Sequence, residues 1–150
     1  MHSVSIAEHA DYFSRFYQDV NRDLIVTGAL IHDFGKMIEL EGPTVYHYSV
    51  EGQLLGHISI MCGELRIAQK ELGITSEIPL LLEHIVLSHH GQMEFGSPVL
   101  PLTREALLIS MIDNLDSKML VLDKAYEEVN KGEFTQKIYS LDNRSFYKAK

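Results

Sequence analysis

The sequence predicts an all-α fold, a bundle of at least five helices with short connections, and three observations carry that expectation. Apolar residues recur at three- or four-residue spacing in five separate stretches. Turn residues stand between the stretches, among them Gly35, Gly42, Pro43, Gly73, Gly91, Pro98 and Pro101. Strand-like alternation is scarce, which leaves helix-on-helix packing as the way to bury the apolar faces.

The first helix is expected from residue 3 to about 18, through Ile6, Ala10, Phe13 and Tyr17. Asn21 is a plausible N-cap for a second, through Leu24, Ile25, Ala29 and Leu30, ending near Gly35 in the run HDFGK. Glu41, Gly42 and Pro43 mark a turn, and the loop to Val50 has room for a short extended piece around Tyr46 and Tyr48. From about Gly52 to Leu72, a narrow stripe of Leu54, Ile58, Met61, Leu65, Ala68 and Leu72 predicts a third helix, stopped by Gly73. Ser76 is a candidate N-cap for a fourth, with Pro79 in its first turn and Ile78, Leu81, Leu82 and Ile85 facing inward. After the loop holding Pro98 and Pro101, Thr103 opens a fifth helix through Leu108, Met111, Ile112, Leu115, Met119 and Leu122 toward Gly132. The tail, residues 133–150, shows the weakest pattern.

With 150 residues, 45% of them hydrophobic, one domain over residues 1–150 is the expectation. A net charge of -8 excludes a uniformly basic surface, so any nucleic-acid contact has to be local. Divalent cations would offset part of that charge where a phosphate approaches. The single cysteine, Cys62, cannot form an internal disulfide, and no segment reads as a signal peptide. A soluble protein located in the cytoplasm is the expectation, since no apolar run approaches the roughly 20 residues that span a bilayer.

Eight histidines, at 2, 9, 32, 47, 57, 84, 89 and 90, carry most of the functional information. The adjacent His32 and Asp33 offer an imidazole nitrogen and a carboxylate, a set suited to borderline cations. Such a pair alone is weak, because a histidine at a helix end also satisfies the helix dipole. The stronger observation is that His2, His32 with Asp33, His57, His89 with His90, and Asp113 fall one set to each predicted helix. Inward faces of a bundle can converge such sets on one polar pocket in the core. A lone core histidine is usually a satisfied packing residue, but four helices each supplying one is harder to explain by packing. His84 reads as structural, and His9 and His47 as surface residues, His47 lying in a loop that could line the pocket.

This order of residues resembles the HD phosphohydrolase superfamily, with HDFGK matching its usual HDxGK core. More narrowly, the segments HDFGKMIEL, LLGHISI, HIVLSHHG and IDNLDSKM, and the tail LDNRSFYK, resemble the catalytic domain of YhaM-type 3'-to-5' exoribonucleases. The resemblance implies an HD-domain bundle and a metal-dependent phosphohydrolase that cleaves phosphodiester bonds, most specifically an exoribonuclease. It implies that His2, His32, Asp33 and Asp113 hold one divalent metal ion and that His57, His89 and His90 hold a second, with Asp33 as the bridge. Manganese is the leading ion, with iron, zinc, cobalt, nickel and magnesium as alternatives. A pair of ions suits activation of water and stabilisation of charge on phosphoryl oxygens.

Lys36, four residues beyond His32, is placed to neutralise a phosphate oxygen, or else is a solvated lysine at a helix end. Helical phase slightly favours Asp116 as the more inward carboxylate and the resemblance favours Asp113, leaving Asp116 to orient a ligand. In the tail, Arg144 with Phe146 and Tyr147 could contact phosphates and stack bases, or the aromatics could dock the tail. Because the chain begins one residue before His2, the first helix is expected to be cut short and the first ion weakly held. The expected partner is a phosphoester substrate, single-stranded RNA or a nucleotide, with no membrane partner and homo-oligomers left open. Two other functions compete: a small-nucleotide phosphohydrolase, and a metal- or nucleotide-binding regulatory module without turnover.

Overall fold

In the computed structural model, which describes residues 2–150, two units are distinguished, residues 1–113 and 114–150. The first contains α1 (His2–Ser14), α2 (Arg22–Ile31), α3 (Lys36–Glu39), strands β1 (Leu40–Glu41) and β2 (His47–Tyr48), α4 (Val50–Glu71), α5 (Ile78–Ser88) and the start of α6 (Arg104–Glu127). No helix among the described residues is long and apolar enough to cross a membrane.

Asn21 caps α2 as the sequence predicts, its side chain accepting a hydrogen bond from the Leu24 N–H at 3.1 Å. The helix stops at Ile31, short of the expected Gly35. Residues 32–35 form turns before the single turn of α3, an element the sequence did not reveal. A four-residue helix carries too few positions to show a period. The expected extended piece is the two-stranded β1–β2 ribbon, antiparallel with Leu40 opposite Tyr48 and Glu41 opposite His47.

Two apolar clusters hold the first unit. The larger joins Ile6 and Ala10 of α1, Leu24, Ile25 and Ala29 of α2, Ile85 of α5, and Ala106, Ile109 and Ile112 of α6. Each fully buried isoleucine in it contributes roughly 1.5–3 kcal/mol relative to exposure. The smaller cluster packs Ile58, Met61 and Cys62 of α4 on Val86 of α5, beside the polar site.

Three sequence readings need correction. Of the α4 stripe, Ile58 and Met61 are buried, but Leu54 and Leu72 are 77% and 72% exposed. For Leu54 the cause is a break at Gly56, whose φ of 71° and ψ of 154° reset the helical phase between Leu54 and Ile58, whereas Leu72 is the C-cap at the far end of the helix. Ser76 does not cap α5; the N-cap position is Glu77, with no side-chain hydrogen bond, and Pro79 sits in the first turn. In α6 the buried face runs through Ala106, Ile109, Ser110 and Ile112, while Met111 and Leu115 are exposed. Flexible apolar side chains at three- and four-residue spacing outlined a stripe that is offset from the true contact face. Thr103 does open α6, its hydroxyl accepting from the Ala106 N–H at 3.1 Å.

In the second unit, the end of α6 is followed by a folded tail. Phe134 faces Tyr147 and Ile138 faces Arg144 across isolated antiparallel bridges. Lys148 donates from Nζ to the Tyr126 and Val129 carbonyls at 2.6 and 2.8 Å, capping the end of α6. The weakly patterned tail is thus ordered by backbone pairing and one buried lysine contact.

Candidate metal centre

His32 is the C-cap of α2 and is fully buried. Its Nδ1 lies 2.7 Å from the Ala29 carbonyl, an N–H donor position that leaves the Nε2 lone pair free. His89 repeats this arrangement at the end of α5, with Nδ1 2.7 Å from the Val86 carbonyl. Both imidazoles are therefore fixed by the last helical turn, where carbonyls lack intrahelical partners.

Asp33, next in the chain after His32, lies between two groups of histidines. Its Oδ2 is 3.7 Å from His32 Nε2 and 3.9 Å from His2 Nε2. Its Oδ1 is 3.6 Å from both His57 Nε2 and His89 Nε2. Among the described residues, two groups could hold a cation, with ligand atoms all within 4.8 Å: His2, His32 and Asp33; and His57, His89 and His90. Asp113 joins the first group through His2, whose Nε2 lies 2.9 Å from Asp113 Oδ1. The seven residues that the sequence singled out as ligands converge on one place. Lys36 is there too, its Nζ 2.7 Å from Asp33 Oδ2.

The polar atoms aimed into this space fit a cation. Among the described residues, His32 Nε2, Asp33 Oδ1, His57 Nε2, His89 Nε2 and His90 Nδ1 are buried without a hydrogen-bond partner, as is Ser97 Oγ, which follows the 3-10 turn Met93–Phe95. Orphaned buried acceptors cost free energy unless something satisfies them. A set of imidazole nitrogens and carboxylate oxygens suits manganese, iron or zinc.

Electrostatics prepare the same state. Burial alone would raise the Asp33 pKa, but the adjoining His89, Lys36 and His32 outweigh it and hold the carboxyl well below the usual range. His32 is kept below its ordinary pKa chiefly by burial, against the pull of Asp33. Burial, then the neighbouring His89, does the same for His90. Neutral imidazoles and an ionised carboxylate are the ligating forms.

Asp116 is half-buried one turn beyond Asp113 on α6. The buried face through Ala106, Ile109 and Ser110 continues to Asp113, whereas the phase read from the sequence, drawn through Met111 and Leu115, slightly favoured Asp116. Arg144 lies in the second unit, where Nε donates to the Leu141 carbonyl at 3.1 Å, Nη2 meets Asp142 at 2.9 Å, and the guanidinium lies 5.3 Å from the Phe146 ring. His84 has the structural part expected of it, accepting the Leu102 N–H at 2.9 Å and so pinning the proline-containing loop. His9 is exposed, and His47 is exposed opposite Glu41.

One residue escaped the sequence reading. Glu39 is only 8% exposed, and its Oε1 lies 3.0 Å from the His57 backbone nitrogen and 3.2 Å from His57 Nδ1. A signal was available in Gly56, a helix-breaking residue directly before a candidate ligand, but it does not say which side chain fills the break.

Comparison with known proteins agrees with this geometry. The HD domain family model matches residues 1–118. The chain is 52% identical over 147 residues to a protein of Geobacillus sp. (strain WCH70) named 3'-5' exoribonuclease YhaM, covering 98% of this chain and 45% of that one. It is 50% identical over 147 residues to the protein of the same name from Bacillus subtilis (strain 168), covering 98% of this chain and 47% of the relative. The chain thus spans less than half the length of these relatives. No solved structure gives a significant match. The matched segment contains every residue of the two histidine groups and both of their carboxylates, and the chain belongs to the HD domain family.

Proposed function

We propose that the chain is the hydrolytic domain of a metal-dependent phosphodiesterase acting on RNA from its 3' end. The observation that carries this reading is the division of Asp33, with Oδ2 toward His2 and His32 and Oδ1 toward His57 and His89. A carboxylate set between two imidazole groups is suited to bridging two cations. His2, His32, Asp33 and Asp113 would hold one ion, and His57, His89, His90 and Asp33 the other. Two divalent ions so held, with manganese preferred, supply acidified water and polarisation of the phosphoryl oxygens.

The chain's own groups prepare the rest. Asp33 is held toward its ionised form and His32 and His90 toward their neutral forms, the states in which these groups ligate. Lys36, whose side chain is 43% exposed, can turn from Asp33 toward a phosphate oxygen and neutralise charge developing there. Arg144, in the second unit and 61% exposed, is by itself a candidate contact for an RNA phosphate. RNA as substrate is supported by the relatives' names. The buried, partnerless thiol Cys62 accords with a reducing cytoplasmic setting.

Hydrolysis of a small nucleotide is the second reading. It is favoured by the tail, where Lys148 is spent on the Tyr126 and Val129 carbonyls and so cannot grip a long chain. Metal content of the purified protein, with manganese-dependent cleavage of a 5'-labelled oligoribonucleotide and of a nucleotide panel, tests both. Stepwise shortening of the oligonucleotide, lost with the metal in Asp33→Ala, is the expected result. Turnover of nucleotides alone supports the second reading, and a folded protein that holds no metal and cleaves neither overturns both.

A further inference from the structure

The break in α4 lies directly before a candidate ligand, and the manner in which it is filled assigns a role to a residue outside the ligand set. At Gly56 the chain leaves helical geometry, so the N–H groups that follow start a new helical run and need partners of their own. Glu39 Oε1 supplies one for His57 at 3.0 Å. The same oxygen lies 3.2 Å from His57 Nδ1. One carboxylate oxygen therefore caps the restarted helix and stands where it can accept an imidazole N–H, while His57 Nε2 lies 3.6 Å from Asp33 Oδ1. His32 and His89 use helix-end carbonyls for this purpose. His57 follows the break in α4, and there Glu39 takes the part that a helix-end carbonyl takes for His32 and His89.

On the other side of His57, Gly35 closes the clamp. A Cβ placed on Gly35 would lie 2.1 Å from the His57 carbonyl oxygen, so the backbone of the turn before α3 packs directly on His57. Gly35 and Glu39 are one turn apart, joined by the hydrogen bond from the Glu39 N–H to the Gly35 carbonyl at 2.9 Å. They hold the two ends of the same residue.

We propose that Glu39 is a positioning residue for the second cation group, fixing the tautomer and orientation of His57 through a carboxylate–imidazole hydrogen bond. The proposal rests on the two-ion reading above, in that the benefit falls on the His57, His89 and His90 group and not on His2 and His32. Capping alone would make Glu39 a stability residue; contact with Nδ1 makes it a residue that acts on affinity.

The test is Mn²⁺ titration by calorimetry of the wild-type chain, Glu39→Gln and Glu39→Ala, with imidazole ¹⁵N spectra of each protein before metal is added. In the wild type His57 is expected in the Nδ1–H form, with two Mn²⁺ bound. Glu39→Ala is expected to lose that single tautomer and to bind the second Mn²⁺ about 10- to 100-fold more weakly, the usual cost of removing such a partner, while the first is unchanged. Glu39→Gln keeps an acceptor of the same size, so it is expected to keep the fold and the tautomer and to show a smaller but measurable loss at the second ion. Should Glu39→Ala fail to fold, Glu39→Gln decides alone. Unchanged affinity for the second Mn²⁺ in the folded variants overturns the proposal, as does a His57 tautomer in the wild type with Nδ1 unprotonated. A wild-type chain that binds no Mn²⁺ overturns the two-ion reading itself, whatever the tautomer.

Discussion

His2 Nε2 and Asp113 Oδ1 lie 2.9 Å apart although 111 positions separate them in the chain. The contact brings the first turn of α1 to α6 beside Asp33. If Asp113 completes the first ion group, Asp113→Ala should lower Mn²⁺ stoichiometry from two to one with the fold intact. Asp116→Ala should keep both ions, with affinity reduced by no more than about 10-fold, the lower end of the cost of an outer partner. Metal analysis after dialysis against Mn²⁺ distinguishes the two; equal losses would exchange their roles.

Lys36 should separate binding from turnover. Its ammonium is hydrogen-bonded to Asp33 Oδ2 at 2.7 Å, yet it donates protons only and cannot ligate a cation. Lys36→Ala is expected to retain metal while losing about 100-fold in kcat, the scale of removing one charge-stabilising donor. Loss of metal in parallel with activity would show that the lysine serves Asp33 and not the substrate.

Acid should destabilise the metal-free protein in two stages. Burial is the main cause that holds His32, His84 and His90 below the ordinary histidine value. The unfolded chain takes up protons near pH 6.5, while the folded chain keeps these imidazoles neutral to lower pH, so stability falls as pH drops below about 6.5. Asp33 adds the second stage. Its carboxyl is depressed, so its contribution is present above the unfolded value of about 3.9 and is lost as pH falls further. Melting temperatures measured in chelator should fall between pH 7.5 and 5.5 and again below pH 4. A flat profile from pH 8 to 5.5 would contradict the first stage.

Two glycines should respond differently to alanine. At Gly35 the added Cβ meets the His57 carbonyl oxygen at 2.1 Å, a backbone atom that cannot rotate away. Gly35→Ala is expected to cost about 3 kcal/mol and to weaken the second ion. At Gly28 the nearest atoms are the Cδ1 methyls of Ile85 and Ile109, at 2.8 and 3.0 Å, which can shift. There the gain in helix propensity, about 1 kcal/mol, offsets part of the crowding, and Gly28→Ala should cost about 1 kcal/mol. Denaturant unfolding of the two variants measures the contrast, and similar losses would place the Gly35 contact outside the site.

The sequence by itself determined the kind of element in most of the first unit and which residue types, the histidines and aspartates, come together in the candidate metal centre. Cap chemistry at Asn21 and Thr103 and the recurrence of apolar residues are local properties, readable within one or two helical turns. The histidines and aspartates were legible because their chemical types are unusual on inward helix faces, and HDFGK sharpened the reading.

Tertiary structure decided the rest. That Asp113 comes to lie 2.9 Å from His2 turns on where α6 meets its neighbours, which Ala106, Ile109 and Ser110 set and the larger side chains Met111 and Leu115 obscured. Glu39 became visible only when the break at Gly56 was seen to need a hydrogen-bond acceptor, because α3 is too short to show a period. Which oxygen of Asp33 faces which histidines depends on the packing of α1, α4 and α5 around one side chain, a relation among distant segments that no local spacing encodes.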